Sequence, residues 1–169
     1  MPSSRVKGRI ADSGSYSGRD GLHVAGRPNA EPRGERRATE RACADHQNIL
    51  RHISQLVEER GGSWFYNKNV DLYAKVGEKC VLVGAKSLAN PARAVNRMRY
   101  AMGQLFDYRV RYEAEVAGAE PVLAFGTPPE RRDAWIATIL EGNGVALVGL
   151  IDGSLRALNP RAERLAILE

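Results

Sequence analysis

The 169-residue sequence predicts an α/β fold, a mixed β-sheet flanked by helices in the order α-β-β-β-α-β followed by a further α-β pair. Three observations carry this expectation. Apolar residues recur at helical spacing over residues 43–60 and 90–113. Short apolar runs bounded by glycine lie between and after them. A strand that passes through a helix into another strand of one sheet implies a parallel pair with a right-handed crossover.

The elements follow in order. Ile49, Leu50, Ile53, Leu56 and Val57 mark one helix face, and Gly61-Gly62 stops the helix. Ser63 to Tyr66 reads as a short first strand. A hairpin comes next, turning at Gly77-Glu78. Glycine at the first loop position suits a type II′ turn, which pairs Val76 with Lys79 and, counted outwards, Asp71 with Gly84. Alternation then puts Val70, Leu72, Ala74, Val81, Val83 and Ala85 on a core face. Asp71, Tyr73, Lys75, Cys80, Leu82, Gly84 and Lys86 share the other, mixed face, whose charged end suggests the edge of a cleft. Asn90-Pro91 opens a long helix, with proline suited to its first turn, and Val95, Met98, Met102 and Leu105 at helical spacing. Pro121 to Phe125 reads as a buried strand. Pro128-Pro129 leads into a helix near Glu130 to Leu140, with Trp135, Ile136, Ile139 and Leu140 covering the sheet. Val145 to Ile151 is a strongly apolar strand, and Asp152-Gly153 turns into a short one near Leu155 to Leu158.

The hairpin makes an acid and a lysine neighbours. Cross-strand partners lie roughly 5 Å apart at Cβ and diagonal ones about 7 to 8 Å, so Lys86 falls within reach of Asp71. A solvated strand end carries such residues too. On the long helix Gln104 and Tyr108 are four apart and share a stripe with Arg97, Ala101 and Arg111.

Asp71, then Gly84-Ala85-Lys86, then Gln104-Leu105-Phe106-Asp107-Tyr108 resembles the PD-(D/E)XK (restriction-endonuclease-like) nuclease superfamily over roughly residues 43 to 126. Lys86-Ser87-Leu88 and Gly103-Gln104-Leu105-Phe106-Asp107-Tyr108-Arg109 are similar to that family's "KSL…GQLLEYR" run. The resemblance implies a restriction-endonuclease-like sheet and divalent-metal-dependent hydrolysis of DNA phosphodiesters. Asp71 would bind magnesium or manganese, Lys86 would orient or polarise the attacking water, and Gln104 and Tyr108 would border the site and contact the strand. The cation would lower the pKa of a bound water.

One departure matters as much as the match. Where the family has Glu or Asp, this chain has Gly84, which offers no side-chain ligand. Magnesium favours near-octahedral oxygen donors, commonly one or two carboxylates with water and phosphate, so Asp71 and the Ala85 carbonyl make a poorer set. Two explanations stand at this stage. A carboxylate from the preceding helix, Glu58 or Glu59, completes the site; or the domain is a pseudonuclease that binds nucleic acid or serves in assembly without cutting.

Residues 1–42 are rich in Gly, Ser, Arg and Pro, and no apolar period of 2 or 3.6 runs through them; they read as a disordered basic tail before a domain at 43–169. Nine Arg or Lys against five acids leave the tail +4 of the chain's +5, so the domain itself is nearly neutral. Such a tail raises affinity for phosphates or is a plain solubilising linker. On the long helix Arg93, Arg97, Arg99, Arg109 and Arg111 suit a phosphate backbone, and equally a solvated face. Trp64 and the tyrosines are stacking candidates, with Tyr73 and Tyr108 nearest the expected site. Cys43 and Cys80 form no C-x-x-C pattern, and Cys43 with His46 supplies only two of the four ligands zinc takes. No run is long enough to span a membrane or shaped as a secretory signal, so a cytoplasmic protein is expected, with DNA ahead of RNA as its partner. A second copy or a partner protein is left open.

Overall fold

The structure, a computed structural model, describes residues 33–67, 69–88 and 93–168. Helix α1 (Arg33–Glu59) leads into strands β1 (Ser63–Phe65), β2 (Leu72–Val76) and β3 (Lys79–Lys86). Helices α2 (Ala94–Arg111) and α3 (Glu113–Val116) precede β4 (Glu120–Phe125), and α4 (Trp135–Gly142) precedes β5 (Ala146–Ile151) and β6 (Ser154–Ala157). The six strands form one sheet in sequence order, β1 to β6. β3, β4 and β5 are parallel, while β1, β2 and β6 add antiparallel edges. The expected mixed α/β sheet flanked by helices is therefore present, strand for strand.

Local chemistry sets the register. Gly77 has φ +58° while Glu78 keeps a negative φ, the pattern of a type II′ turn. Val76 pairs with Lys79, and the ladder runs out to Leu72 opposite Val83, leaving Asp71 one step beyond, opposite Gly84. Gly62 answers a second constraint, because a β-carbon there would stand 2.5 Å from the Lys75 carbonyl oxygen. Its bareness lets the end of α1 drop directly onto the hairpin.

The sheet is buried on both faces, as parallel strands usually are. Ile49, Leu50, Ile53 and Val57 of α1 pack on Leu72, Ala74, Val81, Val83, Ala85, Val122, Ala124, Ala146 and Val148. On the opposite face Met98, Ala101 and Leu105 of α2, with Ile136 and Leu140 of α4, cover Leu82, Leu123, Phe125 and Leu147.

Four expectations are corrected. The face of β3 read as mixed is roofed by α2, since Leu82 is core and Gly84 lies against Leu105. Val70 precedes the ladder and packs in the α2 layer rather than with its supposed face-mates. Trp135 and Ile139 stand 42 % and 41 % exposed, and a 3-10 turn at Arg131–Asp133 replaces the first part of the helix, so Ile136 and Leu140 alone do the covering. The boundary at 43 also moves: residues 33–42 belong to α1, because Arg, Glu and Ala extend a helix by propensity without apolar spacing. The rest of the tail (1–32) and the Asn90-Pro91 start lie outside the described residues.

The C-terminal segment is pinned to β5 by one buried amide. Asn159 Oδ1 accepts from the Leu147 N–H (2.9 Å) and the Ala162 N–H (3.1 Å), and Nδ2 donates to the Val145 carbonyl (2.9 Å). Replacing it with alanine strands buried backbone groups. Asn159→Ala is expected to lower stability by about 3 kcal/mol, read as a lower urea midpoint at unchanged slope; an unshifted midpoint would disprove the anchor.

Candidate functional site

The carboxyl edge of parallel strands is where an α/β sheet leaves its crevice, because the connecting loops part there. Lys86 is the last residue of β3, and Asp71 enters β2 beside it at that edge. Lys86 Nζ lies 3.3 Å from Asp71 Oδ2, which also accepts the Ala85 N–H at 3.0 Å. His46 Nε2, from α1, stands 3.5 Å from Asp71 Oδ1. Next to it Ser87 Oγ donates to Asp45 Oδ2 at 2.7 Å. From the other layer the ring of Tyr100 on α2 comes within 5.9 Å of Lys86 Nζ, a cation–π distance.

Lys86 is only 8 % exposed, so its ammonium requires a counter-charge, and Asp71 supplies it. Burial pushes the Asp71 carboxyl upward, yet the His46 hydrogen bond, the Lys86 and His46 charges and the Ala85 N–H together outweigh it. The net result holds the carboxyl below its ordinary 3.8. Both oxygens of Asp71 are thus engaged by protein groups.

Asp71, Ala85 and Lys86 therefore meet as the register required. Glu59 does not join them. It sits in the last turn of α1, beside the β2–β3 turn at the opposite edge of the sheet, 13 residues or roughly 20 Å along the helix from His46. Glu58 accepts a hydrogen bond from Trp64 Nε1 at 2.8 Å instead. Gln104 lies on α2 one turn beyond Tyr100, and its Oε1 is buried with no hydrogen-bond donor among the described residues. Tyr108 is 4 % exposed in the apolar layer, so it does not present its ring to a strand. Tyr73 faces Phe65 with ring centroids 6.2 Å apart, and burial with the Cys80 thiol beside it pushes its hydroxyl up to about 12. Arg97 is half-buried, whereas Arg111 is exposed and forked onto Asp107 at 3.1 and 3.2 Å.

Sequence reasoning missed Asp45, His46 and Tyr100. The signal was present in the spacing: Asp45 and His46 stand one turn before Ile49 and Leu50, continuing the buried stripe of α1 past the edge of the sheet. Polar residues where a core stripe runs out are placed at a rim. A separate cavity of about 430 Å³ opens at the other edge, lined by Glu78, Lys79, Glu120, Arg161 and Arg164, and there Arg161 is bonded to Glu120 and Glu141.

The donor set does not fit magnesium or manganese. Asp71 is engaged on both oxygens by Lys86, the Ala85 N–H and His46, the nearby Asp45 accepts from Ser87, Gly84 contributes no ligand, and among the described residues no group of three or more His, Cys, Asp or Glu is placed to hold a metal. Comparison with protein-family models, curated proteins and solved structures finds no match to the chain.

The depressed carboxyl fixes the sign of a pH effect. Asp71 stabilises the fold fully above the ordinary carboxyl range, and that contribution is lost as pH falls through its lowered folded value. Asp71→Asn, which leaves the Lys86 ammonium uncompensated, is expected to cost about 3 kcal/mol near neutrality, the gap from the parent closing below pH of about 4. Urea unfolding of both proteins across that range checks it, and a gap constant with pH would rule out a charge origin.

Proposed function

We propose that this chain is a PD-(D/E)XK-like α/β domain that binds a DNA strand along the carboxyl edge of β3 and the adjoining side of α2 without hydrolysing it. The observation that carries the reading is the direct Lys86–Asp71 contact at that edge, beside a position, Gly84, whose missing β-carbon would face Leu105 at 3.4 Å rather than open space. The acid–lysine pair of the resemblance is kept while the second carboxylate is replaced by a seam of core. With Asp71 engaged on both oxygens, the pair acts as a structural clamp on the site's floor.

Attraction for phosphate then comes from elsewhere. Lys86 is neutralised by its partner, so the cations available to a backbone are Arg93 and Arg97 on the side of α2 that carries Tyr100 and Gln104. Gln104, half-buried on the same side, has an Oε1 with no donor among the described residues, and its amide would have to turn outward to meet a base. No helix among the described residues is long and apolar enough to cross a membrane.

Fluorescence anisotropy with single-stranded and duplex DNA across a salt series, with and without magnesium or manganese, tests the proposal. Binding is expected to weaken with salt, to survive chelation of the metal and to leave the DNA intact. Arg97→Ala is expected to weaken every sequence alike and to reduce the salt slope by about one. Cleavage abolished by Lys86→Ala would establish metal-dependent hydrolysis instead, and absence of binding at low salt would overturn both readings.

A further inference from the structure

Arg93, Arg97, Tyr100 and Gln104 follow one another at steps of four, three and four residues, so they lie within about 60° of one another round α2 and form one stripe. The stripe passes the carboxyl edge of β3 at Tyr100, whose ring stands 5.9 Å from Lys86 Nζ. Tyr100 is nevertheless 64 % exposed, so the lysine takes one side of the ring and the other is open. The surroundings of that open side are cationic. Arg93 is exposed and Arg97 half-buried, while farther along the same line Arg111 and Asp107 neutralise each other. Lys86 is neutralised by Asp71.

We infer that, within the nucleic-acid reading on which this rests, the bound strand is single-stranded DNA, with an unpaired base stacked on the open side of Tyr100 and its flanking phosphates held by Arg93 and Arg97. Duplex DNA keeps its base faces in its own stack and turns sugar and phosphate outward, so a ring standing among cations would find no apolar surface to cover. A single strand presents both groups together. Its phosphates suit the guanidinium groups, and each unpaired base carries a π face that an aromatic ring covers whatever the sequence. The reach of the stripe agrees with this. Arg93 to Gln104 is eleven residues, about 17 Å along the helix, which a stacked strand rising about 3.4 Å per nucleotide covers in roughly five nucleotides. Tyr108, 4 % exposed, and Tyr73, set against Phe65, do not offer an equivalent ring. The base platform is therefore Tyr100.

Three probes of equal length, about ten nucleotides, separate stacking from charge when titrated onto the full chain: a single strand, the same sequence as a duplex, and a strand of abasic sugar-phosphate units. The single strand is expected to bind more tightly than the other two. Tyr100→Ala should weaken it about tenfold or more and leave the abasic strand unmoved, whereas Tyr100→Phe should retain the parent affinity. A 2-aminopurine placed in the single strand should lose fluorescence on binding the parent and keep it with Tyr100→Ala. Unchanged circular dichroism is expected of both variants, because the side chain is largely outside the core. A duplex bound as tightly as the single strand, or a Tyr100→Ala that leaves single-strand affinity unmoved or weakens the abasic strand equally, would overturn this inference and leave nucleic-acid binding itself standing. Failure of all three probes to bind at low salt would remove the underlying reading and the inference with it.

Discussion

The ammonium of Lys86 is buried at the end of a strand that is covered on both faces, and the architecture around it is arranged to compensate that charge. A lysine in such a place is stable only beside an anion with its own lone pairs satisfied. Asp71 meets the condition because the type II′ turn at Gly77 starts a ladder that delivers it opposite Gly84. The Ala85 N–H and His46 then complete its coordination. Shift the register by one residue and the carboxylate would turn to the α1 face, leaving the lysine alone.

The same arrangement explains why the site is one of contacts rather than of open ligands. Three elements converge on it. α1 brings Asp45 and His46 over the rim, β3 brings Lys86 and Ser87, and α2 closes Tyr100 over the lysine. Asp45 and His46 arrive by continuing the buried stripe of α1 and Lys86 by ending β3, whereas Tyr100 reaches over from the exposed flank of α2, 64 % exposed. Position 84, one layer inside, belongs to the packing itself. A glycine there lets Leu105 settle against β3, which exchanges a possible ligand for apolar contact.

Much of this was legible before any coordinates. The order of elements, the strand limits to within a few residues, the hairpin turn and the Asp71–Lys86 proximity all follow from patterns confined to short windows, in which the alternation of β2 and β3 and the stripe of α1 are unambiguous. The failures share one cause. Size and spacing put Trp135 and Ile139 over the sheet, yet the rotation of a short helix on a sheet is decided by which of its neighbours fit the groove, and there Ile136 and Leu140 are the buried pair. Glu59, near the end of the helix that precedes the sheet, is a ligand candidate in the sequence alone. It sits at the wrong edge because the chain passes from α1 into β1 there, at the end of the sheet away from Asp71.

By itself, then, the sequence determined the things set by local sterics and periodicity: a type II′ register, the strands and helices, and one acid beside one lysine. Only the tertiary structure decided which residues of distant segments share that edge, since helix direction and layer order are set by long-range packing that no window of the chain contains. His46 comes to Asp71 and Tyr100 to Lys86 from opposite layers, 40 and 14 residues from that lysine in the chain. Their meeting is a property of how two buried faces stack on one sheet.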